Sequence, residues 1–328
     1  MSQGDGLSGL INLGNTCYLN SIIQGLSHCH EFTDIIHKEK TKKNMKNIIE
    51  SKLLHEFGEL HKLLWSKNCI IKPGKFLSVL QEVARKKNML EFTGYDQNDV
   101  SECLYFFINC FHESLHREVT MTIDGEPKNK TDVLAINCFK SKKNFYEKEF
   151  SEMLDIFYGF ICVEKTKLSD NSIEYIPEPY FILNLPIPPG KMETNLYECF
   201  DTYLESSKSV DNDCKRRTLF WSLPNVLIIS LQRFHGTSLR KNHSLVDFPI
   251  DNCDLTKYVE GYNSKSYIYE LFAICNHSGS MAGGHYTSMV KTRKNNWYHM
   301  NDNQVNKIEK EKLVSKLAYC FFYRKKTL

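Results

Sequence analysis

Apolar residues recur every three or four positions through most of the first 117 residues and in short runs after residue 157, which predicts a helical part followed by a strand-rich part. Tyr18, Leu19, Ile22, Ile23 and Leu26 place the start of one helix at Cys17, with Asn15 or Thr16 as its cap. Ile49, Leu53, Phe57, Leu60 and Leu64 form a second stripe. Pro73 opens a third helix carrying Phe76, Leu77, Leu80, Val83 and Ala84. Val100, Leu104, Phe107, Phe111 and Leu115 mark a fourth. Residues 118–150 read as polar and irregular, with Asp124-Gly125 and Glu126-Pro127 as turn signals and no chemistry of their own. Strands are predicted over 157–163, 180–187, 225–234, 267–276, 286–291 and 317–324, as an antiparallel region. Residues 226–231 are apolar without alternation, as in a strand buried on both faces. The fold class is therefore α+β. No repeat or long low-complexity linker divides the chain, so 1–328 is expected to be one domain of two lobes.

Composition narrows the function. With 42 basic and 39 acidic residues the net charge is +3, and no basic tract is long enough to suggest nucleic acid as the main partner. No apolar run approaches the roughly 18 residues that span a bilayer, and the opening residues lack a secretory pattern. An intracellular protein is expected. The twelve cysteines are scattered and include no Cys-x-x-Cys pair, so reduced thiols are expected and the strongest zinc signal is missing.

Candidate chemistry gathers at four places. Cys17 follows a turn rich in Gly and Asn and sits in the first turn of a helix, where unsatisfied amides and the helix dipole favour a thiolate; the alternative is a buried structural cysteine. Asp99 and Glu102, three apart, share a face near a helix start; the alternative is that they only complement the dipole. His285 follows Gly283 and Gly284 at the foot of a strand, where a structural histidine is the alternative. Asn301-Asp302-Asn303 is turn-forming in its own right.

The run Gly9-Leu10-x-Asn12-Leu13-Gly14-Asn15-Thr16-Cys17-Tyr18-Leu19-Asn20, followed by Gln24, resembles the cysteine box of the ubiquitin-specific proteases, the papain-like deubiquitinating enzymes. Gln97-x-Asp99-Val100-x-Glu102-x-Leu104 is similar to the family's next box, and the segment from Asn276 to Thr287 to its histidine box. Trp297 to Val305 is similar to the box that supplies the third catalytic member. Weaker scaffold matches include Glu178-Pro179-Tyr180-Phe181, Leu231-Gln232-Arg233-Phe234 and Phe248-Pro249. Cys103, Gln232 and Met300 depart from the usual residues.

The resemblance implies a papain-like fold in the family's right-hand arrangement: a helical thumb over 9–117, fingers and adjoining palm strands over 150–235, and palm over 236–325. It implies Cys17 as nucleophile, His285 as base and Asn301 as the residue that orients the histidine, with Asp302 as an adjacent acid that assists. Asn12 becomes a side-chain donor to the oxyanion, a role that suits an amide beside a thiolate. Asp99, Glu102, Gln97, His277 and Tyr286 are implied to bind substrate. The implied reaction is hydrolysis of the bond after the terminal glycine of ubiquitin through an acyl-enzyme; the alternatives are a protease for a ubiquitin-like modifier and a silent ubiquitin-binding scaffold. Ubiquitin and ubiquitinated proteins are the implied partners. A monomer is expected, in the cytoplasm and also in the nucleus.

No cofactor is expected. The two Cys-x-x-Cys pairs by which many family members hold zinc at the fingertips are absent; only Cys214 stands there, with Asp211 three residues before it. The fingers are expected to hold together by strand pairing and by Phe160, Ile173, Tyr175 and Phe220.

Overall fold

The structure, a computed structural model, describes residues 4–211, 213–235, 238–280 and 283–326. Residues 1–3 of the opening stretch and Met281-Ala282 of the histidine segment lie outside the described residues. The chain divides into two units, one built from Met1–Leu115, Arg233–His243 and Leu271–Phe322, the other from His116–Gln232, Ser244–Glu270 and Tyr323–Leu328.

In the first unit the predicted helical stripes become the helices Cys17–Ser27, Ile49–Leu64, Gly74–Lys86 and Val100–Leu115, joined by the short helices His30–Ile36 and Glu39–Asn44. Their apolar faces meet in a phenylalanine core. Phe32 stacks on Phe111 at 5.3 Å and 16°, Phe57 lies 5.6 Å from Phe111, and Phe76 meets Phe107 edge-on at 5.7 Å. Each of these rings is about fully buried, and burying one contributes roughly 1.5–3 kcal/mol. Every residue of the Cys17–Ser27 helix is buried, because it runs between the Val100–Leu115 helix and the strand Gly283–Lys291. That strand belongs to an antiparallel array in the order Gln304–Ile308, Trp297–Asn301, Gly283–Lys291, Ile268–Ser280 and Ala318–Lys325, of which residues 271–280 and 318–322 fall in this unit. The hairpin between Trp297–Asn301 and Gln304–Ile308 turns on Asp302 and Asn303, with Asp302 at φ +50°.

The second unit holds an antiparallel sheet in the order Ile173–Tyr180, Gly159–Lys167, Cys214–Ser222 and Ser209–Asp211. Residues 118–150, read from sequence as irregular, contain instead the helix Lys130–Glu149. Its buried Leu134, Ala135, Cys138 and Tyr146 pack with Phe160, Cys162, Leu219 and Trp221. The Asn129 side chain caps it by accepting from the Asp132 N–H at 2.9 Å. Phe160 and Phe220 are buried and Tyr175 packs at the margin of this cluster, but Ile173 is 43% exposed and contributes little. The strand region is not wholly antiparallel. Ile182–Pro186 runs parallel to Val226–Gln232, with the helix Leu196–Ser206 in the connection between them. Val226–Gln232 is buried at every position except Gln232, as its unbroken apolar run predicts.

All twelve cysteines are free thiols. Among the described residues no helix is long and apolar enough to cross a membrane.

Candidate active site

The cysteine loop is shaped by its own side chains. Gly14 and Asn15 both take left-handed backbone, at φ +106° and +53°, which explains a Gly-Asn pair at this turn. Asn12 Oδ1 accepts from the Gly14 N–H at 3.0 Å and the Thr16 N–H at 3.1 Å, and Thr16 Oγ1 accepts from the Leu13 N–H at 2.9 Å. Thr16 occupies the cap position, yet its hydroxyl turns back into the loop and makes no capping bond. The helix therefore begins without a side-chain cap, and its first N–H groups are left to the residue that starts it.

That residue is Cys17, 2% exposed. The backbone N–H groups of Tyr286, Tyr18 and Cys17 itself act on the sulfur and favour the thiolate. Burial outweighs them and pushes the thiol above its ordinary value, and the charge of Asp302 pushes the same way. The amides at the helix start thus pull toward the thiolate, as the sequence leads one to expect, and desolvation opposes them.

His285 lies on the strand that passes the thiol. Its Nε2 stands 2.7 Å from Asn301 Oδ1, which as an acceptor keeps the proton on Nε2 and leaves Nδ1 as the basic nitrogen. Gly284, just before it, has no room for a side chain: a Cβ would fall 2.2 Å from His277 Nε2 and 2.5 Å from the Ser278 carbonyl oxygen. Gly283 meets no such limit.

Asp302 turns away from the histidine toward the cysteine loop. One carboxylate oxygen accepts from Asn12 Nδ2 at 3.0 Å and the other from Asn20 Nδ2 at 2.8 Å, while its backbone oxygen accepts from the Leu10 N–H at 2.9 Å. Gly9 lies against the same turn, so that a Cβ there would stand 2.5 Å from the Asn303 carbonyl oxygen. Asn12, expected at the oxyanion, therefore has its amide group hydrogen-bonded to Asp302. Asn20 was missed as a site residue, although it stands in the cysteine box three positions after Cys17.

The acidic pair separates. Asp99 Oδ1 accepts from the Ser101 N–H at 2.7 Å at the start of the Val100–Leu115 helix, and Oδ2 accepts from the Tyr319 hydroxyl at 2.5 Å and the Tyr286 hydroxyl at 3.5 Å. Its carboxylate is spent inside the fold. Glu102 is exposed, and partial burial together with the charges of Asp99 and Glu91 raises its pKa. Among the described residues it has no ion-pair partner. Gln97 bonds the backbone of Gly284 at both ends of its amide, with Nε2 to oxygen at 2.7 Å and the Gly284 N–H to Oε1 at 2.8 Å.

The Tyr286 ring is buried, and its backbone rather than its phenol reaches the thiol. His277 is also buried, 4.5 Å from the Tyr286 ring. Lys241 Nζ lies 3.0 Å from His277 Nδ1 and donates to the His277 carbonyl at 2.6 Å. Burial, Lys241 and His285 push His277 down to about 4, and burial with Arg233 pushes Lys241 down to about 8. No motif singles out Lys241.

Among the described residues no group of three or more His, Cys, Asp or Glu is placed to hold a metal ion. At the tip of the four-stranded sheet Cys214 pairs with Lys167 on one edge and with Asp211 on the other, so its ladder neighbours offer one ammonium and one carboxylate and no second thiolate. The residues there do not fit a tetrahedral zinc site.

A profile of the ubiquitin carboxyl-terminal hydrolase family matches residues 8–323. The chain is 30% identical over 346 residues to ubiquitin carboxyl-terminal hydrolase Usp2 of Drosophila melanogaster, covering 98% of this chain and 35% of that protein. It is 28% identical over 343 residues to human ubiquitin carboxyl-terminal hydrolase 2, covering 98% and 55%. The chain thus spans about a third to a half of the length of these relatives. Among solved structures it is similar to the SAGA Ubp8/Sgf11/Sus1/Sgf73 DUB module bound to ubiquitin aldehyde, with a TM-score of 0.73 and 25% identity, over 100% of this chain and 72% of that one. The likeness extends over both units and gives an α+β papain-like fold. With a profile match that takes in the cysteine loop, the histidine strand and the asparagine turn alike, the chain belongs to the ubiquitin carboxyl-terminal hydrolase family.

Proposed function

We propose that the chain is a thiol protease that hydrolyses the peptide or isopeptide bond after the C-terminal glycine of ubiquitin, as one catalytic domain. The observation that carries this is the 2.7 Å contact of His285 Nε2 with Asn301, on a strand whose next N–H acts on the Cys17 sulfur. Nδ1 of His285 takes the proton of the Cys17 thiol as the sulfur attacks the scissile carbonyl. The backbone N–H groups at the helix start, with Asn12, stabilise the oxyanion. Collapse expels the amine, which takes the proton from the imidazolium and leaves a thioester on Cys17. Water then loses a proton to His285 and attacks the thioester. The free carboxyl of ubiquitin departs and the thiol is restored.

Glu102 supplies the charge that attracts a basic substrate tail, the role first expected of both acids. Ubiquitin and its conjugates are the partners in this reading, with a single chain as the active unit in the cytoplasm and nucleus. The near balance of charge supports a function without nucleic acid. The solved neighbour bound to ubiquitin aldehyde supports ubiquitin over a related modifier.

The test is incubation with C-terminal electrophile probes made from ubiquitin and from ubiquitin-like modifiers. Labelling by the ubiquitin probe alone, abolished in Cys17→Ala, is the expected result. Preferential labelling by another modifier's probe replaces the substrate, and a folded Cys17→Ala that still hydrolyses ubiquitin conjugates refutes the mechanism.

A further inference from the structure

The strand that carries His285 is unevenly supported. On one edge, residues 283–290 pair with Ile268–Ser280 throughout. On the other, the ladder with Trp297–Asn301 begins only at Ser288. Alternate residues of a strand present their N–H and C=O to the same edge. Gly284, Tyr286 and Ser288 are such a set. Ser288 has Met300 as its ladder partner, and the Tyr286 N–H acts on the Cys17 sulfur. Gly284 has no strand beside it on that edge among the described residues.

Gln97 fills the gap. A primary amide offers one acceptor and one donor, as a peptide unit does, and Gln97 uses both: Oε1 takes the Gly284 N–H at 2.8 Å and Nε2 donates to the Gly284 oxygen at 2.7 Å. The side chain thus stands in for one rung of the missing strand. Gly284 cannot evade this contact by shifting inward, since His277 Nε2 and the Ser278 oxygen occupy the space on which a Cβ would fall.

The other end of Gln97 is fixed to the cysteine side of the site. Asn98 Nδ2 donates to the Tyr18 hydroxyl at 3.2 Å, on the residue after Cys17, and Asn15 Nδ2 donates to the Tyr95 oxygen at 3.0 Å. Asp99 accepts from Tyr286 and Tyr319. The segment from Tyr95 to Asp99 therefore joins the cysteine loop and helix to the histidine strand, and Gln97 is its bond nearest to His285.

We propose that Gln97 is a positioning residue, which sets His285 and the Tyr286 N–H against Cys17 through the backbone of Gly284, and that this is its part in turnover rather than contact with substrate. The proposal rests on the hydrolase reading for turnover, but its first readout needs no ubiquitin. Gln97→Met keeps the length of the side chain and removes both bonds; Gln97→Ala removes the bonds and the bulk.

The rate of Cys17 alkylation by iodoacetamide is measured against pH in folded wild type and both variants, with Cys17→Ala marking the background from the other thiols. The expected result is that both variants move the midpoint of the pH profile and lower the rate at pH 7. With a ubiquitin substrate, kcat falls about ten- to a hundredfold, as for a misplaced reacting group, while KM stays within about twofold. An unchanged alkylation profile with a raised KM assigns Gln97 to substrate contact and overturns the proposal. So does a Met variant that matches wild type while the Ala variant fails, because bulk and not hydrogen bonding is then what matters. If wild type hydrolyses no ubiquitin substrate, the functional reading falls, and the alkylation profiles still decide the role of Gln97.

Discussion

Asn301 and Asp302 are neighbours in one turn and serve different masters. Asn301 touches the histidine, whereas both carboxylate oxygens of Asp302 are taken by Asn12 and Asn20. Asn301→Ala is expected to lower kcat about a hundredfold with little change in thermal stability, since it removes an orienting acceptor and no packing. Asp302→Asn removes a negative charge that holds the Cys17 thiol up, so the midpoint of thiol alkylation should move to lower pH; steady-state kinetics and an alkylation series check the pair. An upward move with the charge removed contradicts the electrostatic role given to Asp302. The residue types of this site were legible in the sequence, because Cys17, His285 and Asn301 each stand in a recognisable run. Their bonds were not. The partners of Asp302 lie 290 and 282 residues away, and nothing in a local pattern of Asn-Asp-Asn says which amides will arrive.

At the scale of elements, the start of the Val100–Leu115 helix separates two acids that the sequence presents as equals. Asp99→Ala loses the bond to the Ser101 N–H and those to two tyrosines, so it should destabilise the fold by about 1 kcal/mol or more, as loss of a cap does. Glu102→Lys should leave the melting temperature unchanged and raise KM for ubiquitin, about tenfold if the tail is cationic. Thermal melts with steady-state kinetics distinguish them, and equal loss of stability in both would return Glu102 to the scaffold. Long, regular stripes such as Ile49 to Leu64 announced their helices because the period persists over four turns. Lys130–Glu149 hid because its buried residues Leu134, Ala135, Cys138 and Tyr146 are few, leave a wide gap, and sit among lysines. Its Asn129 cap was the signal that could have been read. Ile173–Tyr180 escaped notice for the opposite reason, since Pro177 and Pro179 argue against a strand except at a sheet edge, which is where it lies.

For the molecule as a whole, two buried imidazoles set a limit on acid tolerance. Burial and His37 push His61 down to about 3, and burial and Lys241 push His277 down to about 4, against an ordinary value of 6.5. Once unfolded, both rings take up protons below about pH 6.5 that the folded chain refuses, so the unfolded state binds more protons there. Stability should therefore be level above about pH 6.5 and fall as the pH drops toward 4. Urea midpoints at pH 7.5 and 5.0 check this, and His61→Gln should flatten the slope. A single half-buried thiol between Lys167 and Asp211 also leads us to expect no stoichiometric zinc and activity that survives a strong chelator with reductant; elemental analysis finding one zinc per chain, with unfolding on its removal, contradicts it.

Leu10 and Gly9 rest on the turn at Asp302 and Asn303, which the ribosome makes long after it has made them. Until residues 301 and 302 are made, a nascent chain therefore carries its cysteine without the carboxylate that holds the loop or the asparagine that holds the histidine. The loop is braced only when the hairpin has been made and meets it. A chain that stalls before that point holds its cysteine loop without the turn that braces it.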